Sequence, residues 1–292
     1  MDLKKTLRGT GCAVVTPFSA DGEVDYPALE RLLEHLITNG INYIVSLGTT
    51  GETPVLNSDE KKKITEFTSK QINGRVPLVI GIGGNNTAEL VESLKEFPLE
   101  DAVAVLSASP YYNKPSQEGL YQHYVQLAEA SPKPIILYNV PGRTGRNMSA
   151  ATTLRLAEHP NIAGIKEASG DIVQCMEIMR GCPEHFLVIS GDDALALPQI
   201  ACGMDGVISV AANCFPFDFA AMVNAALNQD LKQAKQLNDK LMPAYDLMFA
   251  ENNPAGAKAF LAEMGIMQNN VRLPVVPLSK ELHAKVKTYL GK

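Results

Sequence analysis

Lys166 lies in the stretch AGIKEASG, residues 163–170, flanked by Ile165 and Glu167 where a buried strand should begin. An ammonium group is almost never fully buried without a partner. Either Lys166 pairs with a carboxylate at the strand end, such as Glu167 or Asp192, or it is an amine that attacks a carbonyl to form a Schiff base. At an ordinary pKa of about 10.4 only a trace of a lysine is free amine at neutral pH. Burial among apolar groups with no anion close by lowers that value by up to ~3–5 pH units. Tyr138, at the end of the preceding apolar run, is either an interface tyrosine with a satisfied hydroxyl or a phenol that relays protons to the lysine. Thr49 and Thr50, in GTTGE at 48–52, either cap a helix or present amides and hydroxyls to a carboxylate from a tight turn. Arg143 is a solvated loop charge or a bidentate carboxylate clamp.

These residues share a position: each sits at or just after the end of a short apolar run. The runs are GCAVVTPF from 11, YIVSLG from 43, VPLVIGIG from 76, AVAVLSAS from 102, KPIILYNV from 133, IAGIKEAS from 162, FLVISGDD from 186 and GVISVAAN from 206. Each is rich in Val and Ile and almost continuously apolar, as in strands buried on both faces of a parallel sheet. Helical periodicity predicts helices over 26–40, 58–74, 116–131 and 171–182, the second opened by Ser58 as N-cap. Eight strand–helix units within residues 1–229 predict an α/β fold, a (β/α)8 TIM barrel whose active site lies at the C-terminal strand ends. A doubly wound sheet is the competitor, but GIGGNN at 81 lacks the third glycine of a dinucleotide fingerprint. A solenoid is discounted because the units share no side-chain signature. Beyond 229 the strand signal stops, and 230–250, 254–264 and 278–290 predict three helices forming a small C-terminal domain, 230–292.

Composition narrows the function classes. With 46% hydrophobic and 20% charged residues, the chain reads as a soluble globular protein. No apolar run reaches bilayer-spanning length, and MDLKKTLRGTG lacks the apolar core of a secretion signal. A net charge of −6 without a basic block argues against a nucleic-acid partner. Five scattered cysteines without a C-x-x-C pair suit a reduced, cytoplasmic protein. The five histidines are dispersed with no H-x-x-x-H pair, so a metal site is not expected.

GTTGE, SPYYNKPSQEGLYQHY, ILYNVPGRTG, GIKEASG, SGDD and GVISVAAN together resemble the dihydrodipicolinate synthase family, and the likeness runs from VTPF at 15–18 to RLPVVP at 272–277. GTTGE and the strand-six lysine alone mark only the wider pyruvate-dependent class I lyases, N-acetylneuraminate lyase included; YNVP-x-RTG and PYYN narrow the resemblance. It implies that pyruvate, bound as an imine on Lys166, condenses with L-aspartate 4-semialdehyde on the diaminopimelate route to lysine, with no metal or organic cofactor required. Tyr138 would shuttle protons, linked through Thr49 to Tyr112 of a neighbouring subunit. Thr50 would hold the pyruvate carboxylate and Arg143 that of the second substrate. Gly191 and Ile208 would line the pocket through their carbonyls. Gly142, a serine in some members, implies only a looser turn. The resemblance also implies a homotetramer of two tight dimers, and the adjacent Tyr111 and Tyr112 suit an interface core. A lysine-binding cleft would include Thr53, Pro54, Asn85, Glu89 and Tyr111. Ser58 and Lys61 replace residues that are often histidine in lysine-sensitive members, so weak or absent inhibition is expected. The alternatives are a sialic-acid or sugar-acid lyase of the same superfamily and a barrel that has lost catalysis.

Overall fold

The structure, a computed structural model, describes residues 2–292. Eight strands pair in parallel in chain order: β1 (Gly9–Ala13), β2 (Tyr43–Ser46), β3 (Leu78–Gly81), β4 (Ala102–Ala108), β5 (Ile135–Asn139), β6 (Ile162–Glu167), β7 (Leu187–Ser190) and β8 (Gly206–Ser209). β8 pairs with β1, so the sheet closes into a barrel. Around and between the strands lie α1 (Leu3–Thr6), α2 (Tyr26–Thr38), α3 (Ser58–Ile72), α4 (Thr87–Glu96), α5 (Gln117–Ala130), α6 (Pro141–Thr144), α7 (Ala150–Ala157), α8 (Ile172–Gly181), α9 (Ala196–Ala201) and α10 (Pro216–Leu227). Three further helices follow, α11 (Leu231–Phe249), α12 (Ala255–Glu263) and α13 (Lys280–Tyr289).

The period-two alternation of a strand splits the core in two. Tyr43, Val45, Val79, Leu106, Ile136 and Ile189 fill the barrel interior. Ile44, Ile80, Val105, Leu137, Ile165 and Val188 face the helices. This is why the runs are continuously apolar rather than alternating. On β6 the same alternation turns Lys166 inward and Glu167 outward, and the register sets Lys166 beside Tyr138 of β5 and Ile189 of β7.

Some boundaries differ from expectation. β1 starts at Gly9 and ends at Ala13, so TPF lies beyond the strand. Gly11 is required because a Cβ there would fall 2.2 Å from the Tyr43 ring. Ser58 is not the cap of α3. Asn57 caps it, accepting from the Glu60 amide while the Glu60 carboxylate accepts from the Asn57 amide, a reciprocal capping box. No described helix is long and apolar enough to cross a membrane.

Candidate active site

Lys166 is 5% exposed on the inward face of β6, its Nζ 4.3 Å from the centre of the Tyr138 ring. Neither carboxylate considered as its partner is one. Glu167, fully buried on the opposite face, accepts from Asn139 Nδ2 at 3.0 Å, the Ser169 amide at 2.7 Å and Gln174 Nε2 at 3.2 Å. Asp192 Oδ1 accepts the amides of Ala194 and Leu195 instead. Lys166 therefore stands without a carboxylate counter-ion among the described residues, its Nζ over the Tyr138 ring. Gly191 makes room for it: a Cβ there would sit 2.9 Å from Lys166 Cε and 3.2 Å from its Cγ. Ile208 is buried on the barrel-interior face of β8.

The GTTGE segment follows β2 and folds into a single 3-10 turn, Thr49–Gly51. Gly51 N–H bonds to the Gly48 carbonyl and Glu52 N–H to that of Thr49. Thr16 Oγ1 donates to the Gly51 carbonyl at 2.7 Å, and Thr53 Oγ1 reaches the Leu47 and Gly48 carbonyls at 2.7 and 2.8 Å. Glu52 leaves the turn with φ 53°, in the left-handed region. Thr50 is buried. After β5, Val140 enters the short helix α6, which raises Arg143 at the rim, exposed. A Cβ at Gly142 would meet nothing within 4 Å, so a serine would fit there too.

A cavity of about 460 Å³ opens over this rim, lined in part by Thr49, Thr53, Lys61, Tyr111, Tyr138 and Arg143. Pro54 also borders it, with Lys61 on a neighbouring hollow of about 200 Å³ that includes Ser58. Of the expected constellation, Thr49, Tyr138 and Arg143 line this cavity; Lys166, Thr50, Gly191 and Ile208 do not, and Lys166 meets it only through the Tyr138 ring that its Nζ faces. Asn85 does not line the cavity; it clamps Tyr111 through two hydrogen bonds of 2.9 Å. Glu89 lies exposed on α4 and lines neither hollow. Tyr112 is 90% exposed and does not line this chain's own cavity. A larger hollow of about 820 Å³ lies at the opposite barrel end, among Lys4, Arg8 and His185; catalytic groups in such barrels come from the other face. Among the described residues no three metal-ligating side chains converge.

Sequence reasoning missed three residues that hold the GTTGE turn. Asn253 donates Nδ2 to Thr50 Oγ1 at 3.1 Å. Lys258, wholly buried, sets its Nζ 2.5 Å from Glu52 Oε1. Arg272 gives its backbone N–H to Glu52 Oε2 at 3.0 Å.

A closed eight-stranded barrel with an unpaired, inward-facing amine beside a phenol, and an arginine at the rim above, defines a lyase of the imine-forming kind. The chain belongs to the dihydrodipicolinate synthetase family, whose model matches residues 6–292. A relative named 4-hydroxy-tetrahydrodipicolinate synthase from Parabacteroides distasonis is 48% identical, the alignment spanning 97% of this chain and 96% of the relative. The chloride-inhibited dihydrodipicolinate synthase of Acinetobacter baumannii, solved in complex with pyruvate, superposes with a TM-score of 0.95 at 42% identity, covering 98% of each chain. A dihydrodipicolinate synthase described as the first monomeric variant matches with a TM-score of 0.94 at 39% identity over 99% of both chains.

Proposed function

We infer that this chain is a 4-hydroxy-tetrahydrodipicolinate synthase, condensing pyruvate with L-aspartate 4-semialdehyde. The observation that carries the mechanism is Lys166: a buried amine with no counter-ion, held against Tyr138. The Lys166 amine adds to the ketone carbon of pyruvate, and loss of water leaves an imine. The protonated imine draws electrons from the neighbouring methyl group, whose proton departs to give an enamine. The enamine carbon attacks the aldehyde of the second substrate. Its amino group then adds to the imine carbon, the bond to Lys166 breaks, and the free amine returns. Each step moves a proton, and Tyr138, linked through Thr49 to Tyr112 of a neighbouring subunit, is the relay.

Thr50 binds the pyruvate carboxylate with its hydroxyl and amide, and Arg143 at the entrance binds that of aspartate semialdehyde. Gly191 and Ile208 supply backbone carbonyls to the pocket. Residues 1–229 form the catalytic barrel and 230–292 the helical appendage. The working unit is a homotetramer of two tight dimers, in which the exposed Tyr112 enters the partner's site. The five cysteines, all free, suit a reducing cytoplasm.

Borohydride reduction in the presence of pyruvate, followed by peptide mass mapping, tests the reading. The expected outcome is one reduced pyruvate adduct on Lys166, lost in Lys166→Ala together with nearly all turnover. Labelling of another lysine, or of the variant, overturns it. Comparing aspartate semialdehyde condensation with sugar-acid cleavage separates this activity from that of a sugar-acid lyase.

A further inference from the structure

The turn that would hold the pyruvate carboxylate is tied to residues 203 and 220 positions further along the chain. Asn253, 6% exposed, lies between α11 and α12 and donates its amide to Thr50 Oγ1 at 3.1 Å. A hydroxyl has two lone pairs but only one proton. With Asn253 as donor, the Thr50 hydroxyl keeps its own proton for another acceptor, and hydrogen bonds in series polarise one another.

Two residues on, Glu52 adopts a left-handed conformation with φ 53°. A residue other than glycine stays there only where its surroundings over-determine it. Here they do. Glu52 Oε1 forms an ion pair with Lys258 Nζ at 2.5 Å, while Oε2 accepts the Arg272 amide at 3.0 Å. Lys258, on α12, also donates to the Asn270 carbonyl at 2.8 Å and lies 4.2 Å from the centre of the Phe18 ring. Burial pushes the Lys258 ammonium down to about 8 against the opposing pull of Glu52, so desolvation outweighs the attraction. Buried ion pairs seldom stabilise more than apolar residues of the same volume; where they have a role it is to select one arrangement. The arrangement selected here is the conformation of the turn.

We propose that Asn253, Glu52 and Lys258 are positioning residues of the carboxylate site: Asn253 aims the Thr50 hydroxyl at the substrate carboxylate, and the Glu52–Lys258 pair locks the turn that presents it. The C-terminal helices then set affinity for the keto acid in addition to covering the barrel. The inference rests on the proposed role of Thr50, and the experiment separates the two.

The amount of pyruvate trapped on Lys166 by borohydride is measured against pyruvate concentration, alongside KM, kcat and the thermal midpoint. The variants are Thr50→Val, Asn253→Ala, Lys258→Met and the pair Glu52→Gln with Lys258→Met, which leaves no buried charge unmatched. Thr50→Val and Asn253→Ala each raise half-saturating pyruvate about three- to tenfold, the loss of one hydrogen bond, with kcat at saturation held within about twofold. The paired variant folds and shifts the curve in the same direction. An unchanged curve in Asn253→Ala, when Thr50→Val is shifted, overturns the role of Asn253 and leaves the Thr50 reading standing. An unchanged curve in Thr50→Val overturns that reading and the inference with it. If Lys258→Met alone does not fold, the paired variant decides: a folded protein with an unshifted curve overturns the role of the ion pair.

Discussion

Gly191 shows how much a single methyl group matters to Lys166. A Cβ there would lie 2.9 Å from Lys166 Cε and 2.7 Å from the Ala168 Cβ, so the lysine stem would have to swing aside. Gly191→Ala is expected to lower kcat about 100-fold, the usual effect of displacing a reacting group by about 1 Å. Its backbone is not left-handed, but the Ala168 Cβ cannot swing aside as the lysine stem can, so the thermal midpoint should fall as well, by the about 1–3 kcal/mol that overpacking costs. Trapping kinetics with pyruvate and borohydride check this, and an alanine variant at full rate would show that the lysine has slack. Lys166 itself is legible in the sequence because a charge interrupts an apolar run. Tyr138, Thr49 and Arg143 are legible because each falls at or just beyond a strand end. Glu167 cannot partner Lys166: adjacent strand residues face opposite sides of the sheet, and Glu167 belongs to Asn139, Ser169 and Gln174. Asn253 and Lys258 were not legible, because nothing local in one sequence pairs positions so far apart.

Among elements, the strands were the clearest, since Val and Ile runs dictate them. β1 starts earlier than its apolar run because Gly9 and Gly11 make room for Asn42 and Tyr43 rather than supply apolar surface. A helix such as α10 does not stand out because it is buried on most sides between the barrel and α11, so it shows no single apolar stripe. Two buried titratable groups join elements and give a pH test. Asp193 Oδ2, after β7, accepts the Val210 and Ala211 amides at 3.1 and 2.8 Å at the end of β8, and burial pushes its carboxyl up to about 6. His123 of α5 shares a 2.8 Å hydrogen bond with Thr87 of α4, and burial pushes its imidazole down to about 4. Between about pH 4 and 6 the folded chain keeps a proton on Asp193 that the unfolded chain has released, so this group lowers stability by about 1.4 kcal/mol for each unit of rising pH. His123 acts with the opposite sign. The unfolded chain is protonated there below about pH 6.5 while the folded imidazole stays neutral, so its contribution rises with pH by a similar slope. The two cancel over the shared window. Relative to the parent, Asp193→Asn should gain about 1.4 kcal/mol per pH unit from pH 4 to 6, and His123→Gln should lose as much. Urea midpoints at three pH values measure both slopes; profiles parallel to the parent's would refute the assignment.

For the whole molecule, the exposed apolar side chains bear on assembly. Tyr111 is 46% and Tyr112 90% exposed on a loop whose Tyr112 and Lys114 are both left-handed and whose Tyr111 is clamped by Asn85. A loop held this firmly presents its aromatic rings in a fixed direction, as an interface core requires. Sedimentation at micromolar concentration should show an oligomer, and Tyr112→Ala should reduce turnover by interrupting the relay into the partner's site. A fully active monomer would sink the shared site. In the cleft beside this loop, free lysine is expected to inhibit weakly or not at all. Lys61 turns into the cleft, lining both hollows with Thr53. It has no carboxylate partner among the described residues, and burial pushes its ammonium down. The Thr53 hydroxyl is spent on the Leu47 and Gly48 carbonyls, so it has no proton left for an incoming carboxylate. A lysine ligand would bring two ammonium groups beside Lys61. Two unit charges about 4 Å apart repel by roughly 4 kcal/mol at an effective dielectric of 20. A quarter of that, left after screening by salt, still weakens binding about fivefold. Lys61→His, neutral at pH 8, should bind lysine several-fold more tightly than the parent by inhibition titration. Strong, cooperative inhibition of the parent by sub-millimolar lysine would show instead that Lys61 moves out of the cleft when the subunits assemble.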